Sequence, residues 1–330
     1  MLMRRLMAAT GRRAPRPPVV AIAPPVTAPR VGVIIPCFDD GPFVHEALRS
    51  LEGQEAHELV VVDDGSTAPE TLEALEEIER GGVHVIHQPN AGLAAARNAG
   101  LAVTTARFVF PLDADDRLMP GALTAMADAL DADPEAQLAW GDWHVFGEVD
   151  AIAPRAPRLD PWLITYFNDL PAGTMVRRSA LEETDGWLAG LDAYEDWDLW
   201  LTLAERGARG INVGRVTLEY RTHEQPRLWS TAMRRHDARV RGLAERHPAL
   251  VARRAESRRR SPLPARLKVA VATIAAIPGL SEARRSRLYD VAQRTLVPAM
   301  RWRFEGRPAR NPLIEAADRR VVAWRERVSH

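Results

Sequence analysis

The sequence predicts an α/β fold: a mostly parallel sheet flanked by helices, followed by a C-terminal helical extension. Three observations lead there. Short apolar runs of strand length recur four times between residues 31 and 113, each closed by turn residues. Between them lie segments of about a dozen residues with helical apolar spacing, the alternation that implies parallel strands and right-handed crossovers. Each run also ends in polar or acidic residues, so the topology gathers those ends on one rim, where open α/β sheets bind ligands.

Taken in order, residues 31–35 are a buried-strand pattern that stops at Pro36, and residues 42–51 follow with Phe43, Val44, Ala47, Leu48 and Leu51 at helical spacing. Residues 58–62 form a second strand ending in Asp63, Asp64, Gly65 and Ser66, and residues 69–80 a second helix. Residues 83–86 and 91–102 repeat the unit. The fourth strand, with Phe108, Val109 and Phe110, ends in Asp113, Asp115 and Asp116, and a helix follows over 121–130. Residues 136–140 read as a strand, 147–161 as a loop over the rim, 173–176 as a short strand and 179–184 as a helical turn. Residues 197–206 are a helix with Glu195 and Asp196 just before it, and 211–220 are the last strand. Five arginine-rich helices are expected beyond, over 228–246, 251–260, 264–277, 281–300 and 312–328.

Composition narrows the function classes. The net charge of zero hides about +6 over residues 1–30, −22 over 31–226 and +16 over 227–330, which divides the chain into a basic leader, an acidic body and a basic extension. Every basic residue except Lys268 is arginine, a compositional bias that does not point to nucleic acid, and no nucleic-acid partner is expected. The single cysteine, Cys37, excludes an internal disulfide framework and a cysteine-rich zinc site. Six prolines break residues 1–30, so these are expected to be a disordered leader without the apolar core of a signal peptide. The apolar run 269–280 is too short to cross a bilayer of roughly 30 Å. A cytoplasmic protein is expected, with peripheral contact to the inner membrane face or self-association through the extension.

Asp113, Asp115 and Asp116 at a strand tip are hard oxygen ligands, suited to Mg²⁺ or Mn²⁺ rather than zinc. Alone, they read as an Asp-rich turn capping the helix that starts near Pro120. Neither a G-x-G-x-x-G nor a G-x-x-x-x-G-K motif is present, so a phosphate-bearing ligand needs a metal in place of a glycine cradle.

Five pieces in order carry a resemblance: Val33-Ile34-Ile35-Pro36-Cys37-Phe38, Val61-Val62-Asp63-Asp64-Gly65-Ser66, Asn90-Ala91-Gly92 with Ala96-Arg97-Asn98-Ala99-Gly100, Asp113-Ala114-Asp115, and Tyr194-Glu195-Asp196-Trp197-Asp198-Leu199. Over about residues 31–224 the chain resembles the family-2 inverting glycosyltransferases of GT-A (Rossmann-like) fold. The resemblance implies a sugar transferred from a nucleoside-diphosphate donor, UDP- or dTDP-linked, to a hydroxyl acceptor such as a glycan or lipid-linked glycan in cell-envelope polysaccharide assembly. It implies that Pro36 and Phe38 line the base, that Asp63 and Asp64 bond its edge, that Arg97 lies near the diphosphate or donor sugar, and that Asp113 touches the ribose, or the metal through water. Asp115 would hold the metal, His223 would be a further metal ligand or a contact to the diphosphate, Asp196 would be the general base, and Glu195 would orient the acceptor or its loop. Read without the resemblance, Arg97 is a surface helix arginine and His223 a structural histidine near a strand end.

The pattern departs at Glu224-Gln225-Pro226, which follow Tyr220-Arg221-Thr222-His223 where many relatives have a small, Ser-containing tail, and at Asp39, where asparagine is frequent. Trp187, Trp197 and Trp200 are either an acceptor-stacking face or core. A non-catalytic sugar-nucleotide-binding or scaffold relative is the competing class. Retention of Asp115 and Asp196 argues against it.

Overall fold

The structure, a computed structural model, describes residues 28–148, 150–191, 193–223 and 236–275. The bulk of the expected leader, residues 224–235, the last two residues of the expected helix 264–277 and the expected helices 281–300 and 312–328 lie outside the described residues. Among the described residues nine strands form one sheet, in the order β3-β2-β1-β4-β8-β6-β9-β5 with β7 paired to β6.

The first half follows the expected β-α alternation. Strands β1 (Val31–Cys37), β2 (His57–Asp63), β3 (His84–His87) and β4 (Phe108–Pro111) are parallel, joined by helices α1 (Gly41–Arg49), α2 (Pro69–Arg80) and α3 (Leu93–Val103). Central β1 is buried along its whole length because β2 and β4 flank it and helices cover both faces, which is why its sequence does not alternate. Helix α3 packs so closely on β1 that a Cβ at Gly100 would come within 2.4 Å of Ile34 Cγ2. That close seat fixes the face of α3 that carries Arg97.

The second half is mixed. Strand β8 (Met175–Arg177) runs antiparallel to β4, β6 (Ala136–Gly147) antiparallel to β8, and β9 (Arg209–Thr222) parallel to β6. Strand β5 (Arg117–Leu118) closes the edge against β9. Helices α4 (Ala122–Ala132), α5 (Arg178–Glu182) and α6 (Glu195–Glu205) complete this half. Part of the expected 147–161 loop is sheet instead: β6 continues to Gly147 and turns back into β7 (Ala151–Ala153). Its half-buried, alternating residues carry too weak an apolar pattern to be read as strand.

The described part of the basic extension is helical, with α7 (His236–Arg246), α8 (Pro248–Ala252), α9 (Arg254–Arg260) and α10 (Ala265–Ala275). It packs against the body. Arg246 Nε and His247 Nε2 lie 2.8 and 3.0 Å from Asp198 Oδ1 on α6. Arg254 donates to the side chain and carbonyl of Thr165, both at 3.0 Å, and Ser261 Oγ donates to buried Asp160 at 2.6 Å. Leu263 and Val271 join Trp162, Leu163 and Phe167 in a separate apolar cluster. Among the described residues no helix is long and apolar enough to cross a membrane.

Candidate functional site

The ends of β1, β2 and β4 and the start of α6 meet at one rim of the sheet. At the end of β1, Phe38 is among the few exposed large apolar side chains, while Pro36 is buried within the strand. Asp39 adopts the left-handed conformation at φ 55°, and its Oδ1 accepts the amides of Thr67 and Ala68 at 2.8 Å each. This ties the β1 loop to the start of α2. A family asparagine could also accept such amides, so the Asp39 departure leaves the turn intact.

The acids at the end of β2 are buried and already engaged. Asp63 accepts Ser66 N–H at 2.8 Å through Oδ1 and lies 2.9 Å from His87 Nδ1 through Oδ2. Asp64 accepts Gln88 Nε2 and Ala91 N–H through Oδ1, at 2.7 and 2.9 Å, and Gly92 N–H through Oδ2 at 2.8 Å. Asp64 therefore anchors the entry to α3, and Gly92 at φ 90° lets the chain turn into that helix. Two of the four lone-pair positions of Asp63 and one of Asp64 stay open to a ligand.

Arg97 is 1% exposed, so it is not a surface helix arginine. Its Nη2 donates to Asp113 Oδ1 at 2.8 Å and its Nη1 to Glu195 Oε1 at 2.9 Å. One guanidinium thus bridges the tip of β4 and the first turn of α6. Burial works against its charge, but Asp113 and Glu195 more than offset that and hold its pKa above the ordinary value.

The three acids after β4 have three different partners. Asp113 faces Arg97. Asp115 Oδ2 lies 2.8 Å from His223 Nε2, and Asp116 Oδ1 accepts Arg221 N–H at 2.9 Å. Burial, then neighbouring carboxylates, raise Asp115 and Asp116 above the usual carboxylate range. Among the described residues no three potential ligands converge. The pair that meets is Asp115 and His223, a carboxylate and an imidazole, with Arg97 and Arg221 drawing the other two acids aside. Such a pair fits Mg²⁺ or Mn²⁺, ions that are held by one or two protein groups and completed by substrate phosphates and water.

Glu195 and Asp196 open α6, after Tyr194 in the left-handed conformation at φ 70°. Asp196 is half-buried, and its Oδ2 accepts Asn168 Nδ2 at 2.9 Å. Burial and then the Glu195 charge push its pKa up to about 6. The tryptophans resolve as core: Trp187, Trp197 and Trp200 are at most 2% exposed, which removes them as an acceptor-stacking face.

A neighbouring set of residues was not legible in the sequence. Asp142 on β6, Arg155 after β7 and Asp169 before β8 are buried, and half-buried Trp143 and Tyr220 stack at 4.6 Å with 16° between their planes. No motif marks them, since Arg155 and Asp169 lie in segments without apolar period.

Comparison with known proteins bears on the fold and the family. The profile of glycosyl transferase family 2 matches residues 32–184. The pre-mycofactocin glycosyltransferase of Mycobacterium tuberculosis is 31% identical over 238 residues, covering 66% of this chain and 48% of that protein. The chain therefore spans about half the length of this curated relative. Among solved structures, Staphylococcus aureus TarS in complex with UDP-GlcNAc superposes with a TM-score of 0.53 at 19% identity, over 83% of this chain and 73% of that one. The Pyrobaculum calidifontis mannosyltransferase PcManGT, in complex with GDP-Man and Mn²⁺, gives 0.51 at 21% identity, over 90% and 87%. The profile match over residues 32–184, with its motifs in family order on a matching sheet, identifies a glycosyl transferase family 2 domain within this chain, and the fold is GT-A.

Proposed function

We propose that the chain is a metal-assisted, inverting glycosyltransferase that moves one sugar from a nucleoside-diphosphate donor to a hydroxyl of a glycan or lipid-linked acceptor. The observation that carries this reading is the bridge Asp113–Arg97–Glu195, with contacts of 2.8 and 2.9 Å, which ties the acidic tip of β4 to the first turn of α6, where Asp196 lies. The nucleotide would lie against Phe38 and Pro36, with its base edge on the open lone pairs of Asp63 and Asp64 and its ribose near Asp113. The solved neighbours described with UDP-GlcNAc or with GDP-Man and Mn²⁺ support a donor of that class.

Asp115 and His223 would hold Mg²⁺ or Mn²⁺, which when bound neutralises charge on the departing diphosphate. Asp196 takes the proton from the acceptor hydroxyl. A pKa of about 6 leaves it ionised at neutral pH yet basic enough to accept that proton, and the Asn168 amide aims its Oδ2. Glu195 acts through Arg97, fixing the first turn of α6 and hence Asp196.

Calorimetric titration with UDP, dTDP and GDP, each with and without Mn²⁺, tests the donor half of the proposal. One nucleotide is expected to bind in a metal-dependent way, and Asp115→Ala is expected to weaken it by about tenfold or more. Equal binding with and without metal, or no change in the variant, contradicts the assignment of Asp115.

A further inference from the structure

Beside Asp196 lies a group of polar side chains whose hydrogen-bonding capacity the fold leaves unused. Asp169 is 3% exposed, and neither of its carboxylate oxygens has a partner from another residue among the described ones. Its neighbour Asn168 donates to Asp196 and leaves its own carbonyl oxygen unpartnered. Arg155, 8% exposed, has an unpartnered Nε, and its guanidinium carbon sits 4.0 Å from the Trp143 ring centroid. The indole Nε1 of Trp143 is likewise buried without a partner.

Buried polar groups are nearly always hydrogen-bonded, because each one left unpaired costs about 1–3 kcal/mol. Four such residues side by side therefore mark a place built for something else to bond. They offer donors in Arg155 and Trp143 and acceptors in Asn168 and Asp169. Apolar ring surface from Trp143 and Tyr220 lies alongside. A pyranose presents that same mixture: hydroxyls that donate and accept around the ring, and a C–H face that packs on aromatics. Half-buried Trp143, Tyr220, Asn168 and Asp196 edge the set, so it reaches the crevice rather than a sealed core.

Its position between the two chemical poles selects which sugar. Asn168 links it directly to Asp196. On the other side Tyr220 precedes Arg221, whose backbone N–H donates to Asp116 Oδ1 and whose Nε donates to the Asp115 carbonyl, both at 2.9 Å, so the tyrosine stands beside the β4 acids. The group that must lie between a base and a departing diphosphate is the sugar in transit.

We infer that Trp143, Arg155, Asn168 and Asp169, with Tyr220 alongside, form the subsite that reads the hydroxyls of the transferred sugar and so set donor-sugar specificity. This rests on the glycosyltransferase reading above. Burial and then the Asp160 charge push Asp169 up to about 8, so at neutral pH it is mainly the neutral acid, able both to donate to and to accept from a hydroxyl. Burial lowers Arg155 to about 10, which leaves it cationic.

The test compares two ligands on the wild type and on two variants, Asp169→Asn and Trp143→Phe. The second keeps an aromatic ring at the stack while removing the indole N–H and part of the ring surface, so it guards against loss of fold in the first. The ligands are whichever of UDP, dTDP or GDP binds, and the same nucleotide carrying glucose, N-acetylglucosamine or mannose, titrated with Mn²⁺. Affinity for the bare nucleotide is expected to stay within about twofold, while the extra affinity given by the preferred sugar falls about tenfold or more. Unchanged preference for the sugar-bearing nucleotide in both folded variants overturns the inference. So does a change confined to KM for the acceptor, which would assign these residues to the acceptor sugar. A wild type that binds no nucleoside diphosphate overturns the glycosyltransferase reading and this inference with it.

Discussion

The two walls of the crevice differ in how fully their polar groups are satisfied. On the β1–β2 wall, Asp39, Asp63 and Asp64 make seven hydrogen bonds of 2.7–2.9 Å between them, to the loops that follow β2 and β3 and to His87 at the end of β3. On the β6–β9 wall, Asp169, Asn168, Arg155 and Trp143 all keep buried atoms without partners. The first wall is held in place before any ligand arrives, with only a few lone pairs of Asp63 and Asp64 left for the nucleotide; the second is completed by what binds. That contrast fits a site that holds a constant nucleotide on one side and selects a variable sugar on the other. Arg97 joins the walls.

The sharpest way to break the comparison is to cut that join. Arg97→Met leaves buried Glu195 and half-buried Asp113 without their cation, and removing one partner of a buried pair costs about 3–5 kcal/mol, of which the exposure of Asp113 relieves part. Urea unfolding should register this loss, and recovery of most of it by a further Glu195→Gln change would show that the uncompensated charge is the cause.

A smaller effect is expected at the helical extension. Ser261→Ala removes the buried bond to Asp160, worth about 1 kcal/mol in thermal unfolding, and with it part of the grip on the 160–169 segment. Separate melting of the extension, unaffected by this change, would mean that it is an independent unit.

The smallest effect is a shift in pH dependence. With a base near 6, kcat/KM should rise with pH through about 6 and level off above it, since only the ionised Asp196 accepts a proton. The Asn168 amide favours the ionised form, so Asn168→Ala should move that limb to higher pH. A limb that stays in place would detach Asn168 from the base.

The same contrast explains what was legible in the sequence. The β1–β2 wall is made of local segments in which strand, turn and acid follow one another, so Asp63, Asp64, Asp113 and Asp115 could be read from apolar runs and their endings. Glu195 and Asp196 were visible because a helix start follows them. Trp143, Arg155 and Asp169 meet only through the pairing of β6 with β9 and the path of the 155–169 segment, contacts that leave no spacing in the chain. The bond between Arg97 and Glu195 likewise spans 98 positions, and only the fold discloses it. The packing of the extension on the body was not legible because it rests on scattered residues, such as His247, Leu250, Ser261 and Leu263, rather than on a continuous apolar stripe.

The central claim is that Asp196 is the base of a transfer whose donor is held elsewhere on the rim. The direct test is to follow release of nucleoside diphosphate from UDP-, dTDP- and GDP-sugars by the wild type and by Asp196→Asn, alongside calorimetric binding of the nucleotide. Turnover should fall about 10²- to 10⁴-fold while nucleotide affinity and thermal stability stay near wild type. Equal turnover in the two proteins, with binding intact in both, would contradict the assignment and leave Asp196 as a helix-capping acid.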